Sequence, residues 1–189
     1  MRPFKYIYGC SDKIYLDDPS CLEERHLSNL INAIFNINRF NGNLTYNWTV
    51  GNHSIMVNEL CKYYGEEHLA KAALAHDLHE AIVGDIATPI KHAVPEFREF
   101  EDKWMNRVGE LVGVDLSTNP VKKYDTMAMF VEVYNKGSWL WKDMLEDPMM
   151  NEFQKDEDLM YLMGNVMLNC DEEDHKLCDP DEYLKELMK

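Results

Sequence analysis

Residues 66–84, EEHLAKAALAHDLHEAIVG, decide how this chain is read. Leu69, Ala72, Ala73, His76 and Glu80 recur at helical spacing, so they share one face of a helix that Gly84 stops. The face is built from small apolar residues, yet His76, Asp77 and Glu80 stand in it. Ionisable groups are costly to bury unless they are paired or bound to a metal. Glu80 follows His76 by one helical turn, which places it to act as a general acid or base beside such a metal. Adjacent helix positions point about 100° apart, so His76 and Asp77 reach one ion only if it lies off one flank of the helix. The remaining ligands must then come from other helices.

Two other segments offer them. His53 opens a helix over 53–64 that Gly65 closes. Asp125 lies on the inner side of a helix that starts at Asn119-Pro120 and carries Val121, Tyr124, Ala128 and Val131 on the same side. Asp115 is a fallback, but it falls in a loop. The nitrogen and oxygen donors of His53, His76, Asp77 and Asp125 suit one divalent transition metal: Co, Mn, Zn, Fe or Ni, with Mg also compatible. An incompletely filled site leaves room for water and a substrate oxygen, and the metal there lowers the pKa of the water and polarises a phosphoryl group. His68, His79 and His92 form no paired pattern for a second ion, so a mononuclear site is expected.

Working outward, Tyr6-Ile7-Tyr8 and Ile14-Tyr15-Leu16 alternate around Gly9-Cys10-Ser11-Asp12 and read as a short hairpin. Leu27, Leu30, Ile31, Ile34 and Phe35 make a helical stripe that ends before the turn Asn41-Gly42-Asn43. Thr88-Pro89 breaks any continuation of the 66–83 helix. Phe97, Phe100, Trp104, Val108 and Leu111 form another stripe, and helices are expected at Trp139–Leu145, Asp156–Cys170 and Asp181–Met188. The expectation is an all-α helical bundle with a short N-terminal hairpin. It forms a single domain over 1–189, with the motifs in 20–135 and an acidic helical extension over 139–189.

Composition narrows the partners. A formal net charge of -15 repels nucleic acid and anionic membranes at long range, so neither is expected as a partner. A phosphorylated substrate must then be held by local positive charge. No run approaches the roughly 20 apolar residues of a membrane span, and the N-terminus lacks the apolar core of a signal peptide, so a cytoplasmic location is expected. The 5 cysteines include no C-x-x-C pair and read as free thiols.

Taken together, the motifs resemble a known family. Arg39-Phe40-Asn41-Gly42, Val50-Gly51-Asn52-His53-Ser54, His76-Asp77-Leu78-His79-Glu80-Ala81, Gly84-Asp85-Ile86-Ala87-Thr88-Pro89-Ile90-Lys91 and then Asp125 are similar to the HD-domain nucleotide phosphohydrolases. The branch they resemble holds the 5'-deoxynucleotidases of the YfbR type and the phage dATP triphosphohydrolases. The resemblance runs from about residue 4 to residue 135. It implies a helical HD-domain fold with a metal on His53, His76, Asp77 and Asp125, and catalysis by Glu80 together with Asp77. It further implies that Arg39 binds the phosphate, that Asp85 contacts the deoxyribose 3'-hydroxyl, and that Phe40 stands where the nucleotidases usually carry Trp. Lys91 adds charge near the phosphate. The relatives form dimers or larger rings, so a homo-oligomer is expected.

The activity so implied is hydrolysis of the 5'-phosphate ester of a deoxynucleoside monophosphate. A dNTP triphosphohydrolase using the same site is the alternative. An acidic, non-catalytic binding protein is a second alternative, but such a protein has no need of His76, Asp77 and Glu80 on an inner helical face.

Overall fold

A computed structural model describes residues 2–44, 47–136, 148, 150 and 155–189. Two short strands, β1 (Phe4–Lys5) and β2 (Ile14–Tyr15), pair antiparallel with Phe4 opposite Tyr15 and Lys5 opposite Ile14. The N-terminal hairpin is therefore present, but its first strand lies earlier than Tyr6-Ile7-Tyr8. Tyr6 and Tyr8 are exposed and only Ile7 is buried, because the chain turns at Cys10, whose N–H bonds to the Ile7 carbonyl.

The helices that follow are α1 (Leu27–Ile34), α2 (Val50–Tyr63), α3 (Ala70–Ala75), α4 (Glu80–Val83), α5 (Thr88–Ala93), α6 (Pro95–Val112), α7 (Lys122–Lys136), α8 (Glu157–Asp171) and α9 (Pro180–Leu187). Helix α2 is the axis of the fold. It is buried almost all round, as expected of a helix with neighbours on every side, and it packs against α3, α7, α8 and α1. Of its buried polar side chains, Ser54 Oγ donates to the Val50 carbonyl at 3.1 Å and Asn58 Nδ2 to the Ala70 carbonyl of α3 at 3.2 Å, while Asn58 Oδ1 has no hydrogen-bond partner among the described residues. The Thr49 hydroxyl caps its first turn by accepting from Asn52 N at 3.2 Å.

Gly51 sets the approach of α1 to α2. A Cβ there would stand 2.6 Å from the Phe35 ring. Gly51→Ala is thus expected to destabilise the fold by about 1–3 kcal/mol, the range for overpacking, read as a lower denaturant midpoint.

The expected helix over 66–83 is present in pieces. A 3-10 turn over Glu67–Leu69 leads into α3, and a tightened turn over residues 76–79 separates α3 from α4. In that turn Leu78 N bonds to the Ala75 carbonyl and Glu80 N to the Asp77 carbonyl, each three residues back instead of four. The tightening buries Leu78 and Ala81 together. Gly84 ends α4 at φ 87 and ψ 157, a backbone region essentially closed to other residues.

The 66–83 helix does not continue past Gly84, and Thr88-Pro89 opens a new helix, α5, because proline is tolerated in a first turn. One expected boundary shifts. Asn119 does not cap α7. It adopts φ 46 in a turn, and the helix begins at Lys122, whose N–H bonds to the Asn119 carbonyl. Asparagine tolerates this left-handed conformation. The helix expected at Trp139–Leu145 lies outside the described residues.

The segments flanking these helices are tied down. Lys5 Nζ donates to the Ala81 and Ile82 carbonyls at 3.1 and 3.0 Å, closing the C-terminal end of α4. Arg107 on α6 holds the Leu22 carbonyl at 2.7 and 3.0 Å. At the other end, Tyr183 of α9 is fully buried, donates to the Leu74 carbonyl at 2.6 Å and meets Phe35 edge-on. No described helix is long and apolar enough to cross a membrane.

Candidate metal and phosphate site

Helices α2 and α7 and the α3–α4 turn converge on one point. His53, in the first turn of α2, brings its Nε2 to 3.3 Å from His76 Nε2 and to 3.2 Å from Asp125 Oδ1 of α7. Asp77 Oδ2 stands 3.2 Å from His76 Nε2 and 3.6 Å from His53 Nε2. Donors around one ion with bonds of about 2.0–2.2 Å stand about 3.0–3.5 Å apart, so these separations fit the edges of a coordination shell.

The proton positions agree. His53 Nδ1 faces Glu132 Oε1 at 2.5 Å, and His76 Nδ1 faces the Ala73 carbonyl at 2.7 Å. Both acceptors require a proton on Nδ1, which leaves the two Nε2 atoms facing each other beside two carboxylates, where they can take a cation or, at His53, a second proton. That donor set calls for a cation. Burial, and then Arg39, push the His53 imidazolium down, but Glu132 and Asp125 outweigh them and lift it to about 9. Burial likewise opposes ionisation of Asp77, yet His76, His53 and Arg39 hold its carboxyl well below the usual range. His53, His76, Asp77 and Asp125 are thus the residues that could hold a divalent metal.

Arg39 lies against the same cluster. An antiparallel bridge between Asn38 and Thr49, with Arg39 N donating to the Trp48 carbonyl at 2.8 Å, fastens it beside the start of α2. Its Nε is 3.1 Å from Glu132 Oε2 and its Nη1 is 3.6 Å from Asp77 Oδ2. The next residues, Phe40 and Asn41, have φ of 54 and 53, which is rare for an aromatic residue. Asp85 holds this bend by accepting from Phe40 N at 3.2 Å. Burial, with Asp77 nearby, raises the Asp85 carboxyl against the pull of Arg39 and Lys91.

Glu80 is 3% exposed, and its Oε2 is buried with no hydrogen-bond partner among the described residues. Burial first, then the charges of Asp77 and Asp85, raise its carboxyl well above the usual range despite Arg39 and Lys91. Lys91 lies on this side of the site, with Nζ 2.6 Å from Glu101 Oε1 and 3.9 Å from Glu80 Oε1. His79 turns away from the cluster toward Glu101, at 3.5 Å.

Two buried acids escaped the sequence reading, Glu132 and Glu101. Glu132 had a signal: it follows Asp125 by seven residues, two turns along the inner side of the same helix. Glu101 had one as well: it follows Phe97 by four residues and precedes Trp104 by three, on the apolar stripe of α6.

A second group, Cys10, Asp12 and His26, also brings its donor atoms within 4.8 Å of one another. Here His26 Nδ1 accepts the Glu23 N–H at 2.9 Å, so the ring proton is on Nε2, directed at Asp12 Oδ2 at 3.1 Å. A ligating imidazole donates from its far nitrogen. This one accepts there, and the group reads as a latch between the N-terminal segment and the start of α1.

A helical core that turns two imidazoles and two aspartates onto one point, with an arginine and a buried glutamate alongside, defines a protein of the HD-domain superfamily. The sequence pattern of the YfbR-like 5'-deoxynucleotidases matches residues 26–139, and the chain belongs to that family. YfdR of Escherichia coli strain K12, an uncharacterized protein, is 30% identical over 128 residues, 67% of this chain and 70% of its own. Family membership supports a nucleotide phosphohydrolase and implies a divalent metal.

Proposed function

We propose that this chain is a metal-dependent 5'-deoxynucleotidase, converting a deoxynucleoside monophosphate to the deoxynucleoside and phosphate. The observation that carries the reading is the pairing of opposites in one buried place. A cluster of donors fit for a cation has Arg39 beside it, kept cationic against burial by Glu132 and Asp77, and shares the site with Glu80, whose carboxyl burial raises well above its ordinary value. His53, His76, Asp77 and Asp125 would hold a divalent metal, which when bound would supply Lewis acidity toward a phosphoryl oxygen and lower the pKa of a water.

The remaining work falls to side chains. Arg39 directs its Nη1 toward the cluster and neutralises a phosphate oxygen, a task suited to a guanidinium. Glu80 in its acid form donates a proton to the leaving 5'-oxygen as that oxygen's bond to phosphorus breaks. The attacking water oxygen forms the new bond to phosphorus and its proton passes to the Glu80 carboxylate, restoring the acid. Asp85 accepts from the sugar 3'-hydroxyl while keeping the Phe40 bend, and the Phe40 ring borders the nucleoside. Lys91, paired with Glu101, adds positive charge near Glu80. Among the described residues Arg39 and Lys91 are the basic side chains placed at this site, few for a triphosphate, which favours one phosphate over three. The reading takes 1–189 as one catalytic unit, supported by the Tyr183 bond to the Leu74 carbonyl of α3, the helix that leads into His76.

The test is release of phosphate and triphosphate from a panel of dNMPs, NMPs and dNTPs with Mn, Co or Mg. Phosphate from dNMPs supports the proposal, triphosphate from a dNTP replaces it with the pool-depleting activity, and no turnover with any metal overturns it. Glu80→Gln in the same assay is expected to lose about a hundredfold to a thousandfold in kcat. Its pH profile carries the sign. Glu80 acts protonated and its pKa is raised, so wild-type activity falls as pH rises through that raised value, and the Gln variant lacks this alkaline limb.

A further inference from the structure

Glu132 of α7 is completely buried and serves two masters with one carboxylate. Oε1 accepts the His53 Nδ1–H at 2.5 Å, and Oε2 accepts the Arg39 Nε–H at 3.1 Å. Burial alone would raise its carboxyl, but Arg39, His53 and the Trp48 indole outweigh burial and hold it below its ordinary value. We propose that Glu132 is a positioning residue that braces the metal-ligating face of His53 and the phosphate-binding face of Arg39 against each other. The inference rests on the metal and phosphate roles proposed above for those two residues.

A neutral imidazole presents a lone pair at Nε2 only while its proton is on Nδ1, and an anionic acceptor at Nδ1 both enforces that tautomer and makes Nε2 a stronger donor. On the other side, an arginine held through Nε keeps its outer nitrogens free, and here Nη1 faces Asp77 and the cluster at 3.6 Å. Glutamate has the reach to do both from α7, because Glu132 and Asp125 lie two turns apart on the same side of that helix. A residue that merely neutralised Arg39 inside the core would need only one of its oxygens near the guanidinium. The second oxygen is on the ligand imidazole.

The experiment titrates Mn(II) into the full chain by calorimetry, for wild type, Glu132→Gln, Glu132→Asp and Arg39→Ala. Glu132→Gln is expected to weaken Mn(II) binding about tenfold to a hundredfold, the usual effect of losing such a partner, and Arg39→Ala by less than about threefold. In excess Mn(II), inorganic phosphate binding is expected to weaken in both. Glu132→Asp retains the buried charge but not the reach, so it serves where the Gln variant does not fold, and it is expected to weaken Mn(II) binding in the same direction. A readout without substitution is the ring nitrogen spectrum of the Zn(II)-loaded wild type, in which His53 is expected to carry a slowly exchanging proton on Nδ1 alone. A folded Glu132 variant with Mn(II) affinity within twofold of wild type, or a His53 proton found on Nε2, overturns the proposal. Because the titration contains no nucleotide, its outcome is separate from that of the substrate panel. Normal Mn(II) binding by Glu132→Gln with nucleotide turnover intact removes the brace alone, and weakened binding with no turnover in the wild type removes the nucleotidase reading alone.

Discussion

Asp77→Ala is expected to lower kcat/KM for nucleotide hydrolysis by at least about 10⁴-fold, equivalent to about 5.4 kcal/mol of transition-state stabilisation. The size follows from how many partners this one carboxylate has. Its Oδ2 lies 3.2 Å from His76, 3.6 Å from His53 and 3.6 Å from Arg39, so its loss removes a metal donor and an anchor for the phosphate-binding arginine together. It also removes a negative charge that keeps Glu80 protonated, since Asp77 is the largest contributor to that shift after burial. Metal affinity, water activation and the general acid are all touched, and effects of residues acting as a unit do not divide among them. Phosphate release and metal content by mass spectrometry check this together. A variant that kept a tenth of wild-type kcat/KM with a full complement of metal would show that Asp77 is outside the reacting site.

The second large effect is on the fold. Arg39→Ala is expected to cost about 3–5 kcal/mol of stability, the range for removing one partner of a buried ion pair. For a chain of this size that is a fall in Tm of about 6–20 °C. Glu132 is 0% exposed, and without Arg39 it retains only the His53 proton and the Trp48 indole against its buried charge. Arg39→Lys keeps a positive charge but not the fork that spans Glu132 and Asp77, and is expected to recover part of the stability and little of the activity. Adding Glu132→Gln to Arg39→Ala removes the stranded charge, so the double variant is expected to be more stable than Arg39→Ala alone. Thermal unfolding of the four proteins decides it. A loss below about 1 kcal/mol in Arg39→Ala would mean that Glu132 finds another cation or takes up a proton at little cost.

Local chemistry was legible without coordinates wherever a residue type was out of place in its pattern. An Ala- and Leu-rich face that holds His76, Asp77 and Glu80 conflicts with burial unless those groups have partners, and that conflict was visible from spacing alone. So were the existence of α1, α2, α6, α8 and α9 and the stop at Gly84, because apolar period and a glycine at positive φ are properties of single segments. What the tertiary structure decided was everything that needs two segments to meet. The 66–83 helix is interrupted by a tightened turn over 76–79, which helix propensity and apolar spacing do not register. The left-handed bend at Phe40-Asn41 depends on Asp85, 45 residues away, accepting the Phe40 N–H. Lys91 faces Glu101 and Glu80 because α5 and α6 fold back on each other. Glu132 joins His53 to Arg39 only because α7 crosses α2 at that height. The residues that bear the chemistry are thus marked in the sequence by the cost of burying them. Which nitrogen carries a proton, and which carboxyl stays neutral, is set by neighbours that the linear chain keeps far apart.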